Sequence, residues 1–411
     1  MRRIGWAMVL AGWAAMAVPA AEKWLPAFRV PDCLGVNIHF VEPREREMNQ
    51  IREAGFGLIR MDLTWAAVER EKGKYNFNGY QRLTGALWQR GMAPLYILDY
   101  SNPLYETSRS VLTAEGRQAF ARFAVEAMKA IGPGHVLWEI WNEPNIEQFW
   151  KEQPSAEAYV QLVEETAKAM RAHDPECTIL APATSQIPMD FLKDCFDRGM
   201  LRWIDVVSVH PYREKPPETA LEEYRALREL MQNYEGGDTM PIVSGEWGYS
   251  IHPYKRLPVD EHRQAQFLVR QFLTNFMAGA RLSIWYDWHD DGPDPAEREH
   301  NFGIVRQDYT PKEAYQAAGV FMRELQGMEL KRAIIDEAVQ EYRAVFGNGE
   351  RQVLVIWTTG EPRSVALEGV KDQAVTLLGE KISLSKENGR VVVPRDRPLG
   401  IYRLRTGGAG P

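Results

Sequence analysis

Short apolar runs alternate with amphipathic stretches along the chain, from residue 34 to about residue 325. Runs of four to nine apolar residues are typical of strands that are buried on both faces. Eight of them occur, at 34–40, 57–63, 92–100, 135–142, 177–183, 203–210, 241–247 and 281–288. The stretches between them repeat apolar residues at helical spacing, for example at 45–55, 117–131, 156–173 and 260–279.

This alternation of strands and helices indicates parallel βαβ units, because a parallel connection needs a crossover that is usually a helix. Eight such units in about 290 residues predict a closed (β/α)8 barrel, the TIM barrel. An open doubly wound sheet is the alternative, and a glycine-rich turn would be expected after its first strand. No such turn follows the run at 34–40, so we predict an α/β chain whose barrel occupies residues 22–330.

After about residue 330 the helical spacing gives way to strand-like alternation that is rich in valine. Gly347-Asn348-Gly349 and Gly360-Glu361-Pro362 separate these runs and indicate tight turns. We predict a small antiparallel β-module, sandwich-like, at residues 335–406, packed against the barrel. Its few aromatic residues, Trp357 and Tyr402 among them, favour a structural cap over a separate carbohydrate-binding domain.

The first residues have the three parts of a secretory leader. Arg2 and Arg3 precede a short apolar run, and Val18-Pro19-Ala20 offers small residues for cleavage. The apolar run is too short to span a bilayer. We therefore predict a signal peptide at residues 1–21 and a secreted or periplasmic protein that has no membrane contact after cleavage.

Charge and composition narrow the choice of partners. The net charge is −7 and there is no basic run, which argues against nucleic acid as a ligand. The 13 Trp and 16 Tyr favour a carbohydrate, because flat aromatic rings pack well on the apolar faces of sugars. The three cysteines, Cys33, Cys177 and Cys195, have no metal-binding spacing, and a disulfide between Cys177 and Cys195 stays open.

Two glutamates end strands on the same side of the predicted barrel. In this fold the working residues sit at the C-terminal ends of the strands, where Glu143 follows the fourth run and Glu246 ends the seventh. Such a pair suits glycosidic hydrolysis, in which one group protonates the leaving oxygen and the other attacks the anomeric carbon. Close like charges raise the pKa of one carboxyl, which keeps it protonated near neutral pH.

The motifs around these glutamates resemble those of clan A glycoside hydrolases. WNEP ends the fourth strand, SGEWG the seventh and HPY the sixth, and WNEPNIEQFW is most similar to family 39. Family 5 cellulase-type enzymes are the nearest rival. The likeness covers about residues 34–325 and implies retaining double displacement, with no cofactor and no metal. GEWGYS departs from the pattern of family 39 xylosidases, which weakens an assignment of xylosidase activity.

The resemblance implies a role for each matching position. Glu143 matches the general acid/base and Glu246 the nucleophile. The supporting positions are Asn142 at the sugar 2-hydroxyl, Arg60 beside the nucleophile, His210 and Tyr212 around the reacting sugar, and Trp285 or Trp288 as the aromatic platform. Asn37 and His39 join them as candidate sugar contacts, because they lie at the end of the first strand.

Several of these residues also have a structural interpretation. Arg60 could form a core ion pair with Asp62, Glu139 could be a buried paired carboxylate, and Glu147 could be solvated. Trp65, Trp150 and Trp247 are each as compatible with the core as with a sugar subsite. The loop at 289–303 is acidic, and its Asp290 and Asp291 could bind sugar hydroxyls or a metal, or the loop could be a solvated lid.

The sequence therefore predicts a retaining glycoside hydrolase that cleaves β-glycosidic bonds in a poly- or oligosaccharide. Loops of modest length favour an open groove and endo action, and we expect a monomer. A transglycosylase on the same scaffold is one alternative, in which a sugar hydroxyl replaces water. A non-catalytic carbohydrate-binding protein is another, and the presence of both glutamates argues against it.

Overall fold

The computed structural model describes residues 23–253 and 256–360, and then 364–365, 367, 370–383, 386–387, 390–392 and 399–404. The predicted signal peptide at residues 1–21 lies outside these described residues. Within them, no helix is both long enough and apolar enough to cross a bilayer. Cys33, Cys177 and Cys195 are all buried and free, so the structure does not contain the Cys177–Cys195 disulfide.

Eight parallel strands close into a barrel, each paired with the next in the chain and the eighth with the first. This confirms the predicted (β/α)8 barrel. The strands are β1 (Leu34–Asn37), β2 (Leu58–Thr64), β3 (Ala93–Asp99), β4 (Leu137–Ile140), β5 (Thr178–Ser185), β6 (Val206–His210), β7 (Ile242–Trp247) and β8 (Ser283–Trp285).

One principal helix follows each barrel strand on the outside. The helices are α1 (Glu45–Glu53), α2 (Asn78–Gln89), α3 (Ala114–Ile131), α4 (Ala156–His173), α5 (Met189–Asp197), α6 (Ala220–Met231), α7 (Glu261–Ala278) and α8 (Glu313–Glu324). Side-chain caps explain where three of them begin: Thr113, Ser155 and Asp260 accept hydrogen bonds from the first turns of α3, α4 and α7.

Two strands end three residues before their apolar runs do. β1 ends at Asn37 and β8 at Trp285, although the runs continue to residues 40 and 288. The residues beyond these ends belong to loops at the C-terminal mouth of the barrel, where strand alternation no longer decides which way a side chain points.

Antiparallel sheets follow the barrel, as predicted. Six strands are arranged in the order β9-β10-β11-β14-β12-β13, and a separate three-stranded sheet lies beside them. The six are β9 (Glu329–Asp336), β10 (Glu341–Gly347), β11 (Gln352–Thr358), β12 (Val370–Thr376), β13 (Lys381–Ser383) and β14 (Leu399–Leu404). β9 begins before residue 335, so the strands start closer to α8 than the predicted boundary. The predicted turn at residues 347–349 connects β10 to β11.

Alternation along β11 divides its side chains between two apolar clusters. Val353, Val355 and Trp357 belong to the large core that includes the barrel, whereas Leu354 and Ile356 pack with Val365 of the three-stranded sheet. Trp357 is buried and is therefore not available to a sugar. This arrangement supports the cap interpretation of the C-terminal strands.

A buried ion pair joins these strands to the barrel. Arg270 on α7 bonds both carboxylate oxygens of Glu218 at 2.7 and 2.6 Å, and Trp357 Nε1 donates to Glu218 Oε1 at 2.6 Å. A buried arginine that loses its only carboxylate partner keeps the full cost of desolvation.

We expect Glu218→Ala to lower the free energy of unfolding by about 3–5 kcal/mol, because Arg270 would stay buried without its carboxylate. Denaturant titration of both proteins measures the difference. Asp197→Ala is the control, since the Lys193–Asp197 pair is exposed and such pairs contribute little. A Glu218 variant that is no less stable than this control would contradict the proposed coupling.

Candidate active site

Glu143 and Glu246 face each other at the mouth of the barrel. One carboxylate oxygen of each lies within 4.8 Å of the other, and both lie within that distance of a ring nitrogen of His210. Retaining glycosidases hold their two carboxyl groups about 5–5.5 Å apart and inverting enzymes about 6.5–9.5 Å apart, so this close approach fits the retaining class.

The turn after β4 has an unusual backbone that directs Glu143 toward the pocket. Trp141 and Glu143 have φ angles of 72° and 48°, in the left-handed region that non-glycine residues seldom adopt. The backbone N–H of Glu143 donates to Ala183 O of β5 at 2.9 Å, which holds the turn in place. Strained backbone of this kind is common at functional sites, and here it frees Glu143 from the alternation of the strand.

Arg60 connects most of the polar side chains beneath the pocket. Its Nε donates to Glu139 Oε2 at 2.7 Å, its Nη1 donates to Glu246 Oε2, and its Nη2 donates to Asn142 Oδ1 at 2.8 Å. The arginine is only 1% exposed. Its ion pairs are therefore with Glu139 and Glu246, and the alternative pair with Asp62 does not form.

His210 links Arg60 to Glu143. Its Nε2 lies 3.3 Å from Arg60 Nη2 and its Nδ1 lies 3.0 Å from Glu143 Oε1. Burial lowers the pKa of His210 to about 4, so the ring is neutral near pH 7. Because arginine can only donate, Nε2 must accept, and the single proton of the neutral ring sits on Nδ1 and is donated to Glu143.

The two glutamates have different surroundings. Burial raises the pKa of Glu143 to about 7, although Arg60, Ser185 and Arg298 each act to lower it. Glu246 instead accepts hydrogen bonds from Arg60 and from the Tyr212 hydroxyl, the latter at 2.7 Å to Oε1. One carboxyl is thus able to carry a proton at neutral pH, while the other is oriented by two donors, one of them cationic.

The sequence interpretation missed Tyr286, an aromatic residue that directly follows β8 and packs beside Tyr212. Trp285 and Trp288 are 0% and 1% exposed, so neither can serve as the platform that was predicted for one of them. Trp288 Nε1 donates to Glu47 of α1, outside the barrel. Tyr286 lies between Trp285 and Trp288 in the sequence, and its ring packs edge-on against that of Tyr212, with the ring centroids 6.4 Å apart. Because β8 ends at Trp285, alternation could not have identified it.

A second polar cluster lies beside Tyr286. His39 Nε2 is 3.2 Å from Asp287 Oδ2 and 3.9 Å from Asp291 Oδ2, and its ring packs edge-on against Tyr286. Burial alone would lower the pKa of His39, but the bond to Asp287 and its charge outweigh burial and raise the pKa to about 9. The cluster offers a cationic donor, His39, which is 39% exposed, and a partly exposed acceptor, Asp291, whereas Asp287 is buried beneath them.

Other candidates have structural roles. Asn37 is buried and accepts from Arg60 at 3.3 Å, so it supports the arginine rather than facing the pocket. Asp290 is paired with Lys312 at 2.7 Å, which removes it from the candidate sugar contacts. Trp65, Trp150 and Trp247 are fully buried members of the core, and Glu147 is exposed.

A close contact explains the glycine next to Glu246. A Cβ at Gly245 would lie 2.4 Å from Ser208 Oγ and 3.0 Å from Glu139 Oε1. Ser208 itself donates to Glu139. The glycine thus lets β6, β4 and β7 approach closely enough to complete the network around Arg60.

The carboxylates and imidazoles of the pocket are also residue types that bind metals. Glu143, His210 and Glu246 form one such group, and His39, Asp287 and Asp291 form another. In the first group the guanidinium of Arg60 donates to Glu246 and faces His210, so a fixed positive charge already opposes a cation there.

Comparison with known proteins agrees with this geometry. The family described as glycosyl hydrolases family 39 matches residues 121–339, more than half of the 411 residues, and the chain belongs to this family. The family prediction is thereby confirmed. A β-xylosidase of Geobacillus stearothermophilus is 30% identical over 149 residues, 31% of this chain, and the match spans only 28% of that relative's length.

Solved structures have the same fold. A family 39 glycoside hydrolase from the gut symbiont Bacteroides cellulosilyticus WH2 superposes with a TM-score of 0.79 at 24% identity, over 92% of this chain and 81% of that one. A family 39 β-xylosidase from Caulobacter crescentus superposes with a TM-score of 0.65 at 19% identity, over 94% and 98% of the two chains.

The buried acid makes stability depend on pH. A rise of the Glu143 pKa from 4.5 to about 7 changes the free energy of unfolding by about 3 kcal/mol between low and high pH, because the folded state binds the proton more tightly than the unfolded chain. This contribution is present below pH 4.5 and is lost as the pH rises to about 7. We expect Glu143→Gln to be more stable than wild type at pH 8, by an amount that shrinks toward pH 4.5.

Denaturant titrations at pH 4.5 and pH 8 measure this difference. Glu147→Gln is the matched control, since it removes an exposed carboxyl from the same loop and should change stability little at either pH. Equal stability of wild type and Glu143→Gln at pH 8 would show that the folded state does not raise the pKa of Glu143.

Proposed function

We propose that this protein is a retaining glycoside hydrolase that cleaves β-glycosidic bonds in a poly- or oligosaccharide. The observation that carries the proposal is the pairing of Glu143 and Glu246 within 4.8 Å, in surroundings that give them different tasks. Glu143 has the raised pKa of a proton donor, and Glu246 is oriented by Arg60 and Tyr212.

The proposed reaction has two displacements. Glu246 attacks the anomeric carbon and forms a glycosyl ester, while Glu143 gives its proton to the departing glycosidic oxygen. Glu143, now ionised, takes a proton from water, whose oxygen attacks the anomeric carbon and releases Glu246. The Nδ1–H of His210 donates to Glu143 and would steady this carboxylate between the two steps.

The second polar cluster is suited to the hydroxyls of the sugar at the reacting centre. His39 supplies a charged donor, and Asp291 supplies a partly exposed acceptor, next to the ring of Tyr286. Charged partners make strong hydrogen bonds to hydroxyls, and the ring packs on an apolar sugar face.

We propose endo action, because the loop that follows β5 at the mouth of the barrel is very short. The connection from β5 to α5 consists only of residues 186–188, which leaves space for a glycan that continues past the reacting unit. Two of the similar proteins reported above are named β-xylosidases. The sequence GEWGYS around Glu246 differs from the pattern of family 39 xylosidases, so it does not support xylosidase specificity here.

We also propose that residues 1–21 are removed on export and that the mature protein acts as a monomer outside the cytoplasm. The leader-like sequence supports export. N-terminal sequencing of the protein from its host, followed by light scattering, would reject this if residue 1 were retained or a larger assembly were found.

The first test is a hydrolysis screen of residues 22–411 on β-glucans, xylans, mannans, galactans and aryl glycosides. We expect Glu143→Gln to lower kcat by about 10²–10⁴-fold on a glycan that wild type cleaves. We expect Glu246→Gln to be at least as impaired, because no glycosyl ester can form. Activity that survives loss of Glu246 would contradict the mechanism, and Glu147→Gln should retain full activity.

Product analysis in the same screen separates the modes of action. Intermediate oligosaccharides at early times indicate endo cleavage, whereas a single short product indicates exo cleavage. Excess sugar acceptor reveals transglycosylation, because the same glycosyl ester would then pass to a sugar hydroxyl instead of water.

The pH profile gives a separate prediction. Since burial raises the pKa of Glu143 in the free enzyme to about 7, kcat/KM should fall as the pH rises through about 7 and the acid loses its proton. A dinitrophenyl glycoside is the control substrate, because its leaving group departs without protonation and its cleavage step should not show this basic limb. Identical basic limbs for both substrates would mean that Glu143 is not the acid.

A further inference from the structure

An arginine stacked on two aromatic rings forms one wall of the barrel mouth. The guanidinium carbon of Arg109 lies 3.9 Å from the ring centroid of Tyr100 and 5.1 Å from that of Phe149. The two rings are themselves stacked, with centroids 5.7 Å apart and an interplanar angle of 8°. We call Arg109, Tyr100 and Phe149 the arginine wall.

The arginine wall adjoins the catalytic pair. Tyr100 directly follows β3, and its hydroxyl accepts a hydrogen bond from Asn142 Nδ2 at 3.3 Å. Asn142 immediately precedes Glu143. A glycan bound across Glu143 would therefore pass beside this wall.

Loop contacts hold the wall in place without any sugar. Ser101 Oγ donates to Ser108 O at 2.6 Å, and Ser110 Oγ donates to Lys151 O at 2.8 Å. Arg109 Nη1 itself donates to Gln148 O at 3.3 Å. The loop after β3 is thus tied to the loop after β4, and the guanidinium is oriented before a ligand arrives.

Arg109 has no carboxylate partner within 4.0 Å in the part of the chain that the structure describes, although its side chain is half-buried. Asp99 is a nearby carboxyl group, and the charge of Arg109 acts to lower its pKa. Burial, followed by the charge of Asp62, raises the pKa of Asp99 well above its ordinary value, and Asp99 forms no ion pair with Arg109.

The remaining donors of Arg109 are open to solvent. Apart from the bond to Gln148 they have no acceptor among the described residues, and they are absent from the polar atoms that are sealed inside the fold. A planar, always charged fork of free donors matches a carboxylate, which it can bind through two parallel hydrogen bonds.

The opposite side of the mouth has acidic groups that already face cations. The loop after β8 carries Asp291 and Glu299, neither of which is buried. Asp291 faces His39 and Glu299 is paired with Arg298, so an anionic sugar finds a cation without a carboxylate partner at the arginine wall instead.

We propose that Arg109 binds the carboxylate of an acidic sugar, and that the glycan processed at this mouth contains uronic acid units. The inference rests on the proposed function for the nature of the substrate, and it adds the chemical class that the catalytic residues do not define. Tyr100 and Phe149 are positioning residues, because they hold the guanidinium flat at the wall.

The experiment measures binding, so that it does not depend on catalysis. Methyl β-D-glucuronide and methyl β-D-galacturonide are titrated by ligand-observed NMR against the neutral methyl β-D-glucoside and methyl β-D-galactoside. We expect wild type to bind at least one uronide roughly tenfold or more tightly than its neutral counterpart, because a charge-assisted pair forms only with the carboxylate.

Three variants assign that preference to the residue. Arg109→Gln should abolish it, and Arg109→Lys should keep only part of it, because lysine lacks the planar fork. Arg46→Gln is the matched control, since Arg46 also stacks on a tyrosine, Tyr309 at 4.9 Å, and also contacts a backbone carbonyl, but on the outside of the barrel. Thermal melting shows whether each variant is folded.

Two results would overturn the proposal: wild type that binds neither uronide more tightly than its neutral partner, or a preference that survives Arg109→Gln. The hydrolysis screen can fail without affecting this result, and a uronide preference can be absent in an active hydrolase. The two proposals are therefore distinguishable.

Discussion

The site depends on one buried cation, Arg60, which holds two carboxylates from opposite sides of the barrel. Bonds to Glu139 on β4 and Glu246 on β7 place a guanidinium from β2 between strands that are not neighbours. Burying these charges is costly, and only their mutual pairing compensates the loss of water. Asn142 and His210 are arranged directly around this charge, and Tyr212 is linked to it through Glu246.

This arrangement explains how two identical side chains acquire different chemistry. Glu246 receives the donors of Arg60 and Tyr212, whereas Glu143 faces a neutral histidine and is buried with fewer compensating charges. Position relative to Arg60, and not residue type, separates a proton donor from an oriented nucleophile. The strained turn at residues 141–143 and the space left by Gly245 are the local conditions for that position.

The C-terminal strands support the barrel from outside the site. Their inward side chains join the barrel core, and the bond from Trp357 to the Glu218–Arg270 pair ties the two parts together. Function is thus concentrated at the mouth, where loops after β3, β4 and β8 carry side chains of opposite charge. The chain matches family 39 across much of the barrel, and the loops are where its specificity would be decided.

The sequence alone determined the barrel and placed both glutamates at its mouth, because strand order places every C-terminal strand end on one rim. The resemblance to family 39 also pointed to Arg60 inside β2, His210 at the end of β6 and Tyr212 just beyond it. The sequence did not identify Tyr286 beside Tyr212, the Glu139–Arg60 pair or the arginine wall. Those depend on where β8 stops, on contacts across the barrel and on loop packing, which distant parts of the chain create only when they fold together.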